Sequence, residues 1–289
     1  MSMRSALLVA ALSGAIGVAP ASADVVSSQQ PQAADIDPML GVHFDSIAAR
    51  ADNDKLGFAK KRLVILGAEL MRPDMSIWGV LFPADEKKKI VLRRVGKPSV
   101  VQSGNVAWFQ QSYQYKYIVG TESVAGDGRA SGLAIADGGK WQIVGMHYAD
   151  QIADDKLLAG QGKGNYATEP PSKPTVAGDK DLGNAVVKWF DTKLSKSSAS
   201  GIDVIAGGTA PKENATGAAA VKLAKTWDNL TLNPTRVTAN TFGDGKIGFA
   251  YVEIVLAPSK GGQAVRVVLS VVARKEETGW RWLALQFSS

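Results

Sequence analysis

One strand pattern occurs twice in this chain. Gly139-Lys-Trp141-Gln-Ile-Val-Gly-Met-His147-Tyr-Ala appears midway, and Gly279-Trp280-Arg-Trp-Leu-Ala-Leu-Gln286-Phe-Ser closes the sequence. In each copy a tryptophan follows a glycine-bearing turn, a mostly apolar run suited to a strand comes next, and a polar residue stands six positions on. Such a repeat predicts a tandem of two related domains. At 289 residues and 45% hydrophobic content, the chain is long enough to bury two ordinary cores.

The N-terminus has the layout of a secretory signal. Arg4 precedes the apolar run Ala6–Ala19, which is short for a bilayer span, and Pro20-Ala-Ser-Ala23 places small residues where a signal peptidase cuts. Cleavage is expected after Ala23, which predicts a periplasmic or secreted protein. The absence of cysteine leaves no disulfide and no lipidation site, so packing alone must hold the fold. Removing the signal takes away one arginine and no acid, lowering the formal net charge of +6 by one. The clusters Lys60-Lys61-Arg62, Lys87-Lys88-Lys89 and Arg93-Arg94 are read as solvated faces or charged strand edges, with no nucleic-acid and no membrane partner.

Val25–Ala34 is Ser/Gln-rich and expected to be disordered. Asp35–Ala51 reads as a helix with Asp35 or Asp37 as cap and Pro38 in the first turn. Lys55–Leu70 is read as a second helix in preference to a buried strand over Leu63–Leu66. Met75–Phe82 reads as strand, Pro83–Glu86 as turn and Lys89–Arg93 as a short strand. Asn105–Val119 is a strand, Gly126-Asp-Gly128 a turn into Arg129–Ala136, and Asp137-Gly-Gly139 a turn into the Trp141 strand. The glycines of Gly160–Gly164 and the prolines of Pro170–Pro174 mark residues 151–180 as a linker between domains at 35–150 and 181–289. The second half repeats the order. Helices are expected over Leu182–Leu194 and Gly217–Trp227, and strands at Thr235–Thr238, Ile247–Leu256, Ala264–Lys275 and Gly279–Ser289. Three segments align between the halves. Arg129 comes near Arg266, with two extra residues in the second hairpin; Val106-Ala-Trp108-Phe matches Ile247-Gly-Phe249-Ala; and Val42-His-Phe44-Asp matches Lys188-Trp-Phe190-Asp.

Asn105-Val-Ala-Trp108-Phe, Arg129-Ala-Ser-Gly-Leu and the Trp141–His147 strand resemble the SnoaL-like branch of the nuclear transport factor 2-like superfamily. Ile205-Ala-Gly-Gly-Thr-Ala-Pro-Lys-Glu213-Asn-Ala-Thr-Gly217 resembles the loop between that family's two helices. The resemblance implies an α+β chain of two cone-shaped domains, each with helices packed on a curved antiparallel β-sheet around a pocket. Members use that pocket for isomerisation, cyclisation, hydrolysis, binding or dimerisation.

The residues suited to such a pocket are His147, Arg129, Trp108, Tyr251, Glu253 and Gln286. His147 stands where the family places a histidine on its final strand, and the second copy has Gln286 instead. Strict alternation sets Trp141, Ile143, Gly145 and His147 on one face, with Gly145 leaving space beside the ring, so any ligand-responsive polar group is expected in the first domain. Tyr251 and Glu253 share a face and fit a donor and a base, but the first copy has Gln110 and Ser112 there. Arg129 and Arg266 fit a carboxylate or phosphate, or a cross-strand acid. Trp108, Trp141, Phe249, Trp280 and Trp282 line a cavity or fill a core. Two histidines and no cysteine give no recognisable metal-ligand spacing, no cofactor is implied, and neither copy has a complete catalytic set. The expected function is a non-catalytic module that binds a small apolar or weakly acidic molecule or a partner, its domains paired within the chain as a pseudo-dimer. The alternative is a small-molecule isomerase or hydrolase with its site in one cone only.

Overall fold

The computed structural model of this chain describes residues 31–72, 75–82, 87–150, 173–209, 213–257 and 264–288. The expected signal segment, the Pro83–Glu86 turn and residues 151–172 of the expected linker lie outside them. The architecture is α+β, with few helices and two sheets.

The first sheet holds β1 (Phe58–Leu66), β2 (Glu69–Leu70), β3 (Val91–Ser103), β4 (Val106–Val119), β5 (Glu122–Asp137) and β6 (Lys140–Asp150), in the order β2-β1-β6-β5-β4-β3. The second holds β7 (Thr175–Gly178), β8 (Ile205–Gly207), β9 (Asn214–Thr216), β10 (Thr231–Phe242), β11 (Ile247–Ala257), β12 (Val265–Glu276) and β13 (Gly279–Ser288), in the order β7-β10-β11-β12-β13-β8-β9. Taken from its β9 end, the second order follows the first strand for strand and adds β7 at the far edge. Both sheets are mixed rather than antiparallel. The long strands form an antiparallel meander, but β1 lies parallel to β6, β8 parallel to β13, and β7 parallel to β10. β7 also turns the end of the expected linker into a strand.

Three readings of the first half give way to tertiary structure. Lys55–Leu70 is not a helix, because Leu63–Leu66 is buried on both faces of β1. Leu63 and Ile65 enter the core shared with the second sheet, and Val64 and Leu66 enter the core under the first helix. A continuous apolar run does not separate the two periods. Conversely, Met75–Phe82 holds the one-turn helix α2 (Ile77–Leu81), fastened where Asn53 Oδ1 accepts from the Ile77 amide at 3.2 Å. Gly126 and Gly128 do not turn the chain. Neither has a positive φ, and β5 runs straight through them. They are glycine because the Tyr115 and Tyr113 rings lie across them, so that a Cβ at either position would collide with the phenol. The reversal is at Gly120, whose φ is 58°.

Helix α1 (Ile36–Ala48) covers one face of the first sheet with Ile36, Leu40, Phe44 and Ile47, against Phe109, Tyr113, Met146 and Tyr148. Arg94 of β3 ties it down through the Asp37 carboxylate. In the second half α3 (Lys180–Thr192) does the same with Leu182, Val186 and Trp189. Its cap, Asp179, accepts from the Leu182 amide at 2.9 Å. Helix α4 (Ala218–Trp227) buries Ala220, Ala224 and Trp227. The other face of the first sheet, with Trp108, Leu133 and Val144, shares one core with the second sheet. The first sheet is therefore buried on both faces, one under its helix and one between the sheets.

Candidate functional site

The position of His147 depends on one extra residue. Along β5 and β6, Ala134 pairs with Ile143 and Leu133 pairs with Gly145, so Val144 is a bulge. A bulge reverses the side-chain phase beyond it. Trp141 and Ile143 point under α1, whereas Gly145 and His147 point at the second sheet. The expected single face of Trp141, Ile143, Gly145 and His147 is thus divided, and the space beside Gly145 is filled by the Phe249 ring of β11.

His147 is fully buried, with Nδ1 2.8 Å from Ser270 Oγ and Nε2 2.8 Å from Ser288 Oγ. Ser288 Oγ donates to the Gly67 carbonyl at 2.7 Å, so it accepts from Nε2–H, and Ser270 donates to Nδ1. Burial, opposed by the Gly67 carbonyl and reinforced by Arg129, lowers the His147 pKa to about 3. The ring is neutral near pH 7 and serves as a link between sheets.

Two polar rows meet at this seam. Gln110, Ser131 and His147 stand opposite one another across β4, β5 and β6, and Tyr251, Ser270 and Gln286 do so across β11, β12 and β13. Arg129, also buried, donates to the Gly208 carbonyl. Burial lowers its pKa to about 10, with Glu213 acting against that fall, so it stays charged. Gln110 and Arg129 occupy the space where Gly207 would carry a Cβ. Trp108 is enclosed in the shared core.

Tyr251 and Glu253 are used as a fastening. Glu253 Oε2 lies 3.1 Å from Arg236 and 3.0 Å from Arg266, and the Tyr251 hydroxyl lies 3.1 Å from the same oxygen. Arg266 reaches on to Glu69 of β2 at 3.1 Å. Burial pulls the Glu253 pKa up, but Arg266 and Arg236 outweigh it and hold the carboxyl below its ordinary value. Arg266 has a cross-strand acid, and its register partner is Val255. The residue corresponding to Arg129 is Val268, because both final hairpins turn on two residues and carry one bulge each, with no extra residues in the second. The alignment of Trp108 with Phe249 agrees with register, since they pair with the corresponding Leu133 and Val272.

Open space lies instead on the flank of α1. A groove of about 560 Å³ is lined by Pro31, Pro38, Met39, Val42, Leu56 and Trp141, with Lys55, Lys140 and Asp35 around it and His43 beneath. Val42 is 64% exposed there. The ring of His43 is fixed: Nδ1–H donates to the Leu56 carbonyl at 2.7 Å and Nε2 accepts from the Tyr148 hydroxyl. Burial lowers its pKa to about 4 against the opposing Leu56 hydrogen bond. The signal of His43 in the sequence was a polar residue on the apolar stripe of α1, between Leu40 and Ile47.

A second polar group lies at the far end of the first sheet. Tyr113, Tyr115 and Tyr117 form a ladder with centroid spacings of 6.3 and 6.0 Å, closed by Phe82 at 5.4 Å from Tyr117. Asp150 ends β6 beside it. Desolvation raises the Asp150 carboxyl pKa even though the residue keeps solvent access, and a hydrogen bond from Tyr115 partly offsets the rise. Burial likewise holds Tyr113 and Tyr115 well above the ordinary phenol range. Among the described residues no group of three or more His, Asp or Glu is placed to hold a metal ion.

No protein-family model and no curated protein matches this sequence. Among solved structures it is similar to a nuclear transport factor 2-like superfamily protein from Salmonella enterica subsp. enterica serovar Typhimurium str. LT2, at 18% identity and TM-score 0.37, over 45% of this chain and 95% of that one. It is similar to an NTF2-like protein from Pseudomonas putida KT2440 at 16% identity and TM-score 0.34, over 43% and 89% of the two chains. It is also similar to hexachlorocyclohexane dehydrochlorinase LinA-type3 from Novosphingobium barchaimii LL02 at 9% identity and TM-score 0.35, over 41% and 86%.

Proposed function

We propose that this chain, which resembles the nuclear transport factor 2-like superfamily, is a binding module. Its two cone-shaped units, residues 35–150 and 181–289, pair within the chain as a pseudo-dimer, and export follows cleavage after Ala23. The ligand is a small apolar or weakly acidic molecule held in the α1 groove. The observation that carries this reading is the groove itself: Pro38, Met39 and Val42 leave apolar surface accessible above the buried Leu56 and Trp141, and Lys55 and Lys140 stand where an acidic head would emerge. A concave, mainly apolar site with a few polar groups at its rim suits a small amphiphile. Each CH₂ withdrawn from water there adds about 0.8 kcal/mol, and a cation at the rim favours the ionised acid over its alcohol.

Calorimetric titration with decanoate and decanol tests it. Decanoate is expected to bind more tightly, Met39→Glu to abolish binding of both, and Lys140→Glu to weaken decanoate alone. Equal binding by the Met39→Glu protein would reject the groove as the site.

A second reading, an isomerase or hydrolase with its site in the first cone, is favoured by Asp150. A carboxyl of raised pKa beside protonated phenols pairs a general base with hydrogen-bond donors. Loss of an enolising activity in Asp150→Asn, with an acid-limb pKa above the ordinary aspartate value in the parent, would support it. Unchanged turnover in that variant would exclude Asp150.

A further inference from the structure

The second half has a groove at the place that the α1 groove occupies in the first. It measures about 400 Å³ and lies between the flank of α3, the short 3-10 turn Leu194–Ser197 and the β12–β13 hairpin. The burial pattern of the two helices sets Ile36 against Leu182, Leu40 against Val186 and His43 against Trp189, and hairpin register sets Trp141 against Trp280. Met39 and Val42 are then replaced by Ala185 and Lys188, and Gln142 by Arg281. The second groove is lined by Lys188, Lys196, Arg281, Thr192, Ser197 and Thr278, and among the described residues no carboxylate lines it.

We infer that this second groove is an anion site, binding a phosphate, sulfate or carboxylate group carried on a small molecule. The donor set has the right composition. Lys188 and Lys196 are exposed, and neither ammonium is within an ion pair among the described residues. The Arg281 guanidinium is steadied from one side, donating to the Lys196 carbonyl at 3.0 Å and to Thr278 Oγ1 at 3.4 Å. Because Thr278 Oγ1 accepts that bond, its own proton is free to donate. A planar guanidinium held in place, two mobile ammonium groups and a hydroxyl match the several acceptor oxygens of an oxyanion. Asp181, the acid that pairs with Lys275 and the Trp280 indole, does not line the groove.

A competing role exists for the lysines. Lys188 sits just before the last turn of α3 and Lys196 in the 3-10 turn beyond it, and helix C-terminal carbonyls favour cations without any ligand. The experiment separates the two. Phenyl phosphate, inorganic phosphate and benzoate are titrated into the full chain at low ionic strength and followed by amide chemical-shift changes. The expected result is saturable shifts centred on Thr278–Arg281 and Lys196, weakening as salt is added. The Lys188→Val/Arg281→Gln protein, which copies the first groove, is expected to bind phenyl phosphate at least tenfold more weakly. Arg281→Lys, which keeps the charge but not the fork, falls between. Tighter binding of both phosphates than of benzoate assigns a phosphate-like group, and the reverse order assigns a carboxylate. Shifts spread over all surface lysines, or unchanged affinity in the double variant, would overturn the site. Lower thermal stability in that variant with undiminished binding would leave the lysines as helix-end compensation only. The α1 groove reports separately through Val42 and Lys140, so failure there is distinguishable from failure here.

Discussion

The two grooves differ more than the frames that hold them. Each lies between an opening helix and a final hairpin, and each has a tryptophan at the base of the hairpin. The first is walled by Met39, Val42 and Leu56, and the second by Lys188, Lys196 and Arg281. The seam between the sheets shows the same habit. Gly145 against Phe249 on one side corresponds to Ala284 and Trp108 on the other, His147 corresponds to Gln286, and Arg129 corresponds to Val268. One backbone arrangement thus carries two sets of side chains. The buried set is constrained by its partner across the seam, whereas the groove set faces solvent and is free to diverge. Copying residues from one half into the other tests that distinction.

The largest effect is expected from Arg129→Val, which copies Val268. It removes a buried cation that the Gly208 carbonyl and Glu213 face, and unfolding by urea should show a loss of about 3 kcal/mol. A loss below about 1 kcal/mol would mean that water satisfies these groups and that the seam tolerates divergence. Next comes Gly145→Ala, which copies Ala284. Its methyl would collide with the Phe249 ring, for a cost of about 1 to 3 kcal/mol, and Phe249→Ala in the same protein should recover part of it. If the costs simply add, the ring is not what requires glycine.

The third exchange, His147→Gln, sharpens the electrostatic side of the comparison. Folded His147 has a pKa of about 3 against about 6.5 when unfolded, so the unfolded chain binds the extra proton between those values. Stability from this residue is fully present above pH 6.5 and is lost as pH falls toward 3, at up to about 1.4 kcal/mol per pH unit. His43, at about 4, adds a similar slope down to that pH. Urea midpoints at pH 7, 5 and 4 should therefore fall less steeply in the glutamine protein, with about 1 kcal/mol lost at pH 7. An unchanged slope would mean that His147 is not held neutral. Decanoate binding should be unaffected, because His147 faces the seam and not the groove.

The smallest effect on stability is expected from Val42→Lys, which copies Lys188. At a position 64% exposed the change should stay within about 0.5 kcal/mol, yet decanol binding should weaken. A large destabilisation would show that Val42 packs more than its exposure suggests.

Much of this fold could be read from residues alone. The strands at Asn105–Val119, Ile247–Leu256, Ala264–Lys275 and Gly279–Ser289, and the helices opening each half, carry their periods and caps locally. Local chemistry determines them: Asp179 caps α3 wherever the helix docks, and Gly138-Gly139 reverses the chain beside any strand pair. All six residues expected at a pocket lie at the seam or its edge, while the groove around Met39, Val42 and Trp141 has no counterpart among the expected sites. The reason is that a groove is made by surfaces from α1, the turn at Lys55–Gly57 and the β6 hairpin, which are distant in sequence and have no shared motif.

What the tertiary structure alone decided is which way side chains face. Val144 adds one residue to β6, and that residue moves His147 from beneath the helix to the second sheet. No local signal distinguishes a bulged strand from a regular one of the same composition. Leu63–Leu66 became strand because two cores were available to its two faces, and Gly126-Asp-Gly128 stayed extended because two tyrosine rings lie across them. Composition and period set which segments are buried; the partner brought against each segment sets the face, because burial on a second surface outweighs weak local preference.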